Sequence, residues 1–132
     1  FDESFELAVY GDDYDTEDGT AIRDYIHVED LADATILSLK HLIKDNEPFC
    51  INLGTGSGTS VKDVVSNIEA ISGKAVKYTI QARRAGDPPI LVAAPKLAKI
   101  TIDWTPKYTT IGPILESSIK WYCSHFNSGD KQ

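Results

Sequence analysis

A chain of 132 residues, 42% hydrophobic and 25% charged, has the size and composition of one globular domain with a modest core. Its formal net charge of -7 argues against sequence-independent nucleic-acid binding and against docking to an anionic membrane, both of which need clustered Lys and Arg. A phosphate pocket remains open to it, because two or three local cations suffice.

The pattern of apolar residues reads as follows in chain order. Residues 7–11 read as a short strand, and residues 12–20 as an acidic loop with a glycine turn. Residues 25–28 read as a second strand, after which Glu29 and Asp30 open a helix. Ala32, Ile36, Leu39 and Ile43 mark one face of that helix, while Leu31, Ala34, Leu37 and Leu42 add apolar residues elsewhere on it. Asn46-Glu47-Pro48 ends it. Residues 49–53 read as a third strand leading into Gly54-Thr55-Gly56-Ser57-Gly58. Ser60 with Asp63 resembles a capping box for a helix striped by Val61, Val64, Val65, Ile68 and Ile71, and Gly73 closes it. A strand over 76–80, a polar loop over 82–89, a short helix over Lys96–Ile102 and a last helix from about Thr110 follow. The last helix tolerates Pro113 in its first turn and shows Ile111, Ile114, Leu115 and Tyr122 on one side. The order is that of an α/β fold. Residues 127–132 read as a polar tail.

Cys50 and Cys123 are too few for a disulfide scaffold. No apolar run reaches membrane-spanning length, and the first five residues lack the pattern of a signal peptide. A cytoplasmic protein is expected. The chain contains no Met, not even at its start, which suits a portion of a longer protein.

Several residues invite a chemical reading. Gly54-x-Gly56-x-Gly58 between a strand and a helix has the context of a dinucleotide loop, but Thr59 stands where the fingerprint needs glycine. A tight structural turn explains these glycines better. Arg23 offers a fixed fork of donors for a phosphate, although beside Asp24 it also suits a surface ion pair. Arg83 and Arg84 either meet one diphosphate or are solvated. His27 reads as a hydrogen-bonded core residue in a strand, and the three histidines and two cysteines show no metal-ligand spacing.

Three segments carry a family resemblance. Arg23-Asp24-Tyr25-Ile26-His27-Val28-Glu29-Asp30-Leu31-Ala32 resembles a segment of extended short-chain dehydrogenase/reductase enzymes that act on nucleotide sugars. Leu7-Ala8-Val9-Tyr10-Gly11, the acidic run to Gly19, and Arg83-Arg84-Ala85-Gly86-Asp87 are similar to the UDP-glucose 4-epimerases among them. The resemblance runs from about Leu7 to His125. It implies the small C-terminal substrate-binding domain of such an enzyme, over residues 1–126, without the Rossmann domain. It implies Arg23 and Arg84 at a UDP diphosphate, Asp87 at the ribose hydroxyls, and the strand of Ala8 and Tyr10 beside uracil. The family's base is a Tyr with a Lys four residues later, and none of the six tyrosines here has one. No catalytic residue and no metal site is therefore assigned. NAD is expected in the parent enzyme and not on this chain alone, which is expected to be inactive. Related nucleotide-sugar epimerases, decarboxylases and dehydratases, or a non-catalytic interaction module, are the alternatives. An apolar face on the first helix implies a homodimer or other self-association. Two departures stand out: Ala94 where the family has an Asp cap, and Asp103 where it has Gly in a left-handed turn.

Overall fold

The structure is a computed structural model, and it describes residues 6–45 and 47–126. The expected polar tail, and Asn46 at the first helix end, lie outside the described residues. The elements are β1 (Leu7–Tyr10), β2 (Ile22–Arg23), α1 (Val28–Asp45), β3 (Thr59–Ser60), α2 (Val61–Ser72), β4 (Tyr78–Gln81), β5 (Ile90–Leu91), α3 (Lys96–Ile102) and α4 (Ile111–Phe126). β1 pairs with β4 in parallel, Tyr10 opposite Gln81. β2 pairs antiparallel with β3 and parallel with β5, Arg23 opposite Leu91. The α/β class holds, in two small sheets.

Two expected strands are corrected. Residues 25–27 form no ladder, and Val28 already belongs to α1. His27 is the residue that turns the chain into the helix. Its carbonyl accepts from Leu31 N–H at 3.1 Å, and its ring Nδ1 accepts from Glu29 N–H at 3.0 Å, which is the work of an N-cap. Residues 49–53 form no ladder either. Their alternation is real, since Phe49, Ile51 and Leu53 pack on the core of Ala34, Ala98, Ile102 and Trp104, but no described strand lies beside them to complete a sheet. The strand after the glycine loop is instead Thr59–Ser60.

The helices fit their stripes unevenly. On α2, Val65 is buried and Val61, Val64, Ile68 and Ile71 are half-buried. Ser60 Oγ caps it by accepting from Asp63 N–H at 3.0 Å, and Gly73 closes it in the left-handed region. On α1 the face that packs inward carries Asp30, Ala34 and Leu37, whereas Ala32, Ile36, Leu39 and Ile43 face outward. On α4, Ile114 is buried but Tyr122 is exposed and stacks on Phe126, because the helix runs past its packing partner α2. α3 starts at Pro95 with no side-chain cap, and Asp103 ends it at φ 53°, the left-handed turn expected there.

Buried carboxylates join the pieces. Asp30 accepts from the amides of Lys107 and Tyr108 at 2.9 and 3.0 Å, and its carbonyl accepts from Trp104 Nε1 at 3.0 Å. His27 stacks on Tyr108 at 3.9 Å. With Nδ1 accepting, its proton sits on Nε2 and goes to Ser117 Oγ at 2.6 Å. A histidine so arranged cannot take a proton from Ser117, and it works as a core strut between α1 and α4.

Candidate functional site

The site is built by one loop, residues 82–89. It begins where β4 ends beside Tyr10, with Gly11 N–H donating to Gln81 O at 2.9 Å. It ends where Ile22 N–H donates to Pro89 O at 2.8 Å, beside Arg23. The two parallel pairings therefore anchor both ends of the loop, one at Tyr10 and one at Arg23. Within it, Asp87 N–H donates to Arg84 O at 3.2 Å, a tight turn across Ala85-Gly86. Gly86 takes φ +79°, which an L side chain adopts only with strain. The turn puts the side chains of Arg84 and Asp87 together.

Four of the five expected residues converge. The Arg84 guanidinium lies over the Tyr10 ring, 4.4 Å from its centroid. Its Nε is 3.9 Å from Asp87 Oδ2. The other oxygen of Asp87 accepts from Arg23, 64 residues away, whose second terminal nitrogen donates to Ile22 O at 2.7 Å. Arg23, Arg84, Ala85, Gly86 and Asp87 line an open concavity of about 400 Å³. Ala8 is not in it. It shares the exposed face of β1 with Tyr10, opposite buried Val9.

Two ion pairs differ from expectation. Arg23 pairs with Asp87 and not with its neighbour Asp24, because successive residues along an extended chain point to opposite sides. Arg83 and Arg84 part company for the same reason. Arg83 Nε donates to Asp13 Oδ1 at 2.6 Å and its guanidinium covers Tyr14 at 4.2 Å, so it fastens the acidic loop instead of meeting a diphosphate. That hydrogen bond, above all, holds the Asp13 carboxyl below its ordinary range.

Asp24 has another task, which its sequence neighbourhood did not reveal. Its Oδ1 accepts from the Thr55 amide and hydroxyl at 2.8 and 2.7 Å. Its Oδ2 accepts from the Gly56 and Ala93 amides at 2.9 and 3.2 Å. Burial opposes ionisation here, but these hydrogen bonds outweigh it and hold the carboxyl below its ordinary range. Gly54 is needed because a Cβ there would come within 2.5 Å of both Ala93 Cβ and Asp24 Oδ2. The glycine loop is thus a closed structural turn, its Thr55 and Gly56 amides already given to a carboxylate and its Ser57 amide to Thr55 Oγ1.

Among the described residues, no acid–base pair accompanies the concavity. Burial lifts the Tyr25 phenol above its ordinary value, with the Arg23 charge only partly offsetting it. A hydrogen bond to Glu29 does the same for Tyr108. Neither is prepared to accept a proton near neutral pH. A second concavity, about 300 Å³, is lined by Asp33, Ile36, Leu37, Lys40, Asp103, Trp104, Thr105 and Lys107. Its charges are largely spent, Lys107 on Asp33 at 2.6 Å and Asp103 on Lys99 at 2.5 Å.

Known proteins resemble this chain in sequence and in fold. The model of the NAD dependent epimerase/dehydratase family matches residues 2–54. A UDP-glucose 4-epimerase of Lactobacillus helveticus is 42% identical over 120 residues, covering 91% of this chain and 36% of the relative. One of Azospirillum brasilense is 47% identical over 115 residues, covering 87% and 33%. The chain is thus similar to UDP-glucose 4-epimerases over about nine tenths of its own length. The solved UDP-glucose 4-epimerase of Stenotrophomonas maltophila, bound to NAD and a formylated UDP-arabinopyranose, superposes with a TM-score of 0.85 at 35% identity, covering 94% of this chain and 37% of that one. The chain spans about a third of the length of these relatives and has the fold of a C-terminal portion of an extended short-chain dehydrogenase/reductase. The glycine loop over residues 54–58 does not fit a dinucleotide phosphate, because no strand leads into it and its Thr55 and Gly56 amides are occupied by Asp24.

Proposed function

We propose that this chain carries the UDP-binding half-site of a UDP-glucose 4-epimerase, an isomerase interconverting UDP-glucose and UDP-galactose in galactose metabolism. The observation that carries the proposal is the convergence of Arg23, Arg84 and Asp87 on one concavity, with Tyr10 held under the Arg84 guanidinium beside it. Two guanidinium groups suit a diphosphate. The Asp87 carboxylate suits the ribose hydroxyls as an acceptor. The exposed face of Ala8 and Tyr10 offers a flat aromatic surface beside the base, and Arg84 rigidifies it. The similarity to a structure holding a UDP-sugar supports this reading.

NAD would serve the parent enzyme from residues outside this chain, and residues 1–126 would supply substrate binding. With neither a Tyr–Lys pair nor an open dinucleotide loop, the 132-residue chain is inactive alone. No described helix is long and apolar enough to cross a membrane, which accords with a cytoplasmic enzyme. The outward face of α1, with Ile36, Leu39 and Ile43 all more than half exposed, supports self-association as a homodimer. Calorimetry with UDP and with uridine tests the site. UDP should bind the more tightly, and equal affinities would contradict phosphate roles for Arg23 and Arg84.

A further inference from the structure

Asp87 sits between two cations, and its position has a consequence for selectivity. One oxygen is taken by Arg23 and the other faces Arg84 Nε at 3.9 Å. Arg23 reaches the concavity already engaged, one terminal nitrogen donating to Asp87 and the other to Ile22 O. Arg84 is different. Two thirds of its side chain is exposed, and its main contact is the Tyr10 ring. An arriving anion therefore meets Arg84 openly, but at Arg23 it competes with a carboxylate already in place.

We propose that Asp87 holds the phosphate's place on Arg23 and thereby selects against bare inorganic anions, an inference that rests on the nucleotide reading above. A phosphate that wins Arg23 leaves Asp87 unpaired beside another negative charge. Pyrophosphate offers nothing to relieve this, because near neutral pH its oxygens are almost wholly acceptors. A nucleoside diphosphate brings hydroxyl donors on the same molecule, and a displaced carboxylate can accept from a vicinal diol. Selectivity then comes from a repulsive element as much as from an attractive one. In the empty site the Asp87 carboxylate also offsets part of the charge of the two guanidinium groups and so reduces the repulsion between them.

The test uses the 132-residue chain and its D87N variant, at constant ionic strength and pH 7.5. Amide shifts of residues 84–87 are followed while pyrophosphate, UDP or 2′,3′-dideoxy-UDP is added. Wild type should prefer UDP to the dideoxy nucleotide and to pyrophosphate. The D87N chain should bind pyrophosphate about threefold or more tightly than wild type, the size of one exposed ion-pair effect. It should also lose most of its preference for the intact ribose. Unchanged or weaker pyrophosphate binding by D87N, with UDP still bound, would overturn the proposal and leave the nucleotide site standing. Wild-type chain that binds UDP and dideoxy-UDP equally would overturn it without recourse to any variant. No shift with UDP at all would remove the nucleotide reading and this inference together.

Discussion

Thr55 gives both its amide and its hydroxyl to one oxygen of Asp24, at 2.8 and 2.7 Å. This pair decides what the glycine loop is. A loop that cradles phosphate must present free N–H groups, and here a carboxylate from 31 residues upstream already holds them.

The D24N variant should therefore lose stability and gain no ligand. An amide nitrogen facing the Gly56 and Ala93 donors leaves them unsatisfied, at a cost of about 2 kcal/mol. Urea unfolding of variant and wild type measures this. A loss within experimental error would mean that water can replace the carboxylate.

Acid should loosen the same region. Asp24 and Asp18 both have folded-state pKa values below the ordinary 3.8. For Asp18, burial opposes ionisation, and hydrogen bonds from Ser60 and Thr20 with the charge of Lys62 outweigh it. The unfolded chain therefore binds protons more readily than the folded one. The stability these groups contribute is complete above the unfolded value and is lost as pH falls through and below it. Thermal midpoints should drop between about pH 5 and pH 3, and by less in D24N. A flat profile over that window would contradict the assignment.

D30A should be the most damaging single change at the α1 end of the core. It strips the partners from the Lys107 and Tyr108 amides in a buried place, with an expected loss of about 3 kcal/mol. Denaturant unfolding followed by Trp104 fluorescence reports it, and a loss below about 1 kcal/mol would show that the 104–108 segment is held by His27 stacking instead.

Much of this was legible in the sequence, and the exceptions share a cause. Lys96–Ile102, the Ser60 cap and the Gly73 stop are local features, written within one turn of the chain. Arg84 and Asp87 are brought together by a local turn as well. By contrast, Arg23 could be matched to Asp87 only through β2–β5 pairing, and Asp24 to Thr55 only through the tertiary fold. The alternation of residues 49–53 looked like a strand because Phe49, Ile51 and Leu53 do pack inward, yet a strand also needs a neighbour. On α1 a small residue, Ala34, lies wholly buried while larger Ile36 and Ile43 lie outside. Size and spacing alone did not say which of its apolar faces packs inward.

Neighbouring arginines should behave differently. R84A should weaken UDP binding about fivefold or more, since it removes a diphosphate partner and frees the Tyr10 ring. R83A should leave UDP affinity within about twofold and instead loosen the acidic loop, seen as faster hydrogen exchange at residues 12–19. Reversed effects would exchange their roles.

The exposed face of α1 should bring copies of this chain together. Sedimentation over a concentration series should show a reversible dimer, weakened by I36K or I43K. A clean monomer at high concentration would remove that proposal.

The most direct measurement is the map of amide shifts that UDP produces on this chain. Binding at the Arg23, Arg84 and Asp87 concavity should move the signals of residues 8–10, 22–24 and 83–87, and should leave residues 54–58 almost still. Shifts centred on residues 54–58, with little change at 83–87, would place the phosphates on the glycine loop and contradict the account.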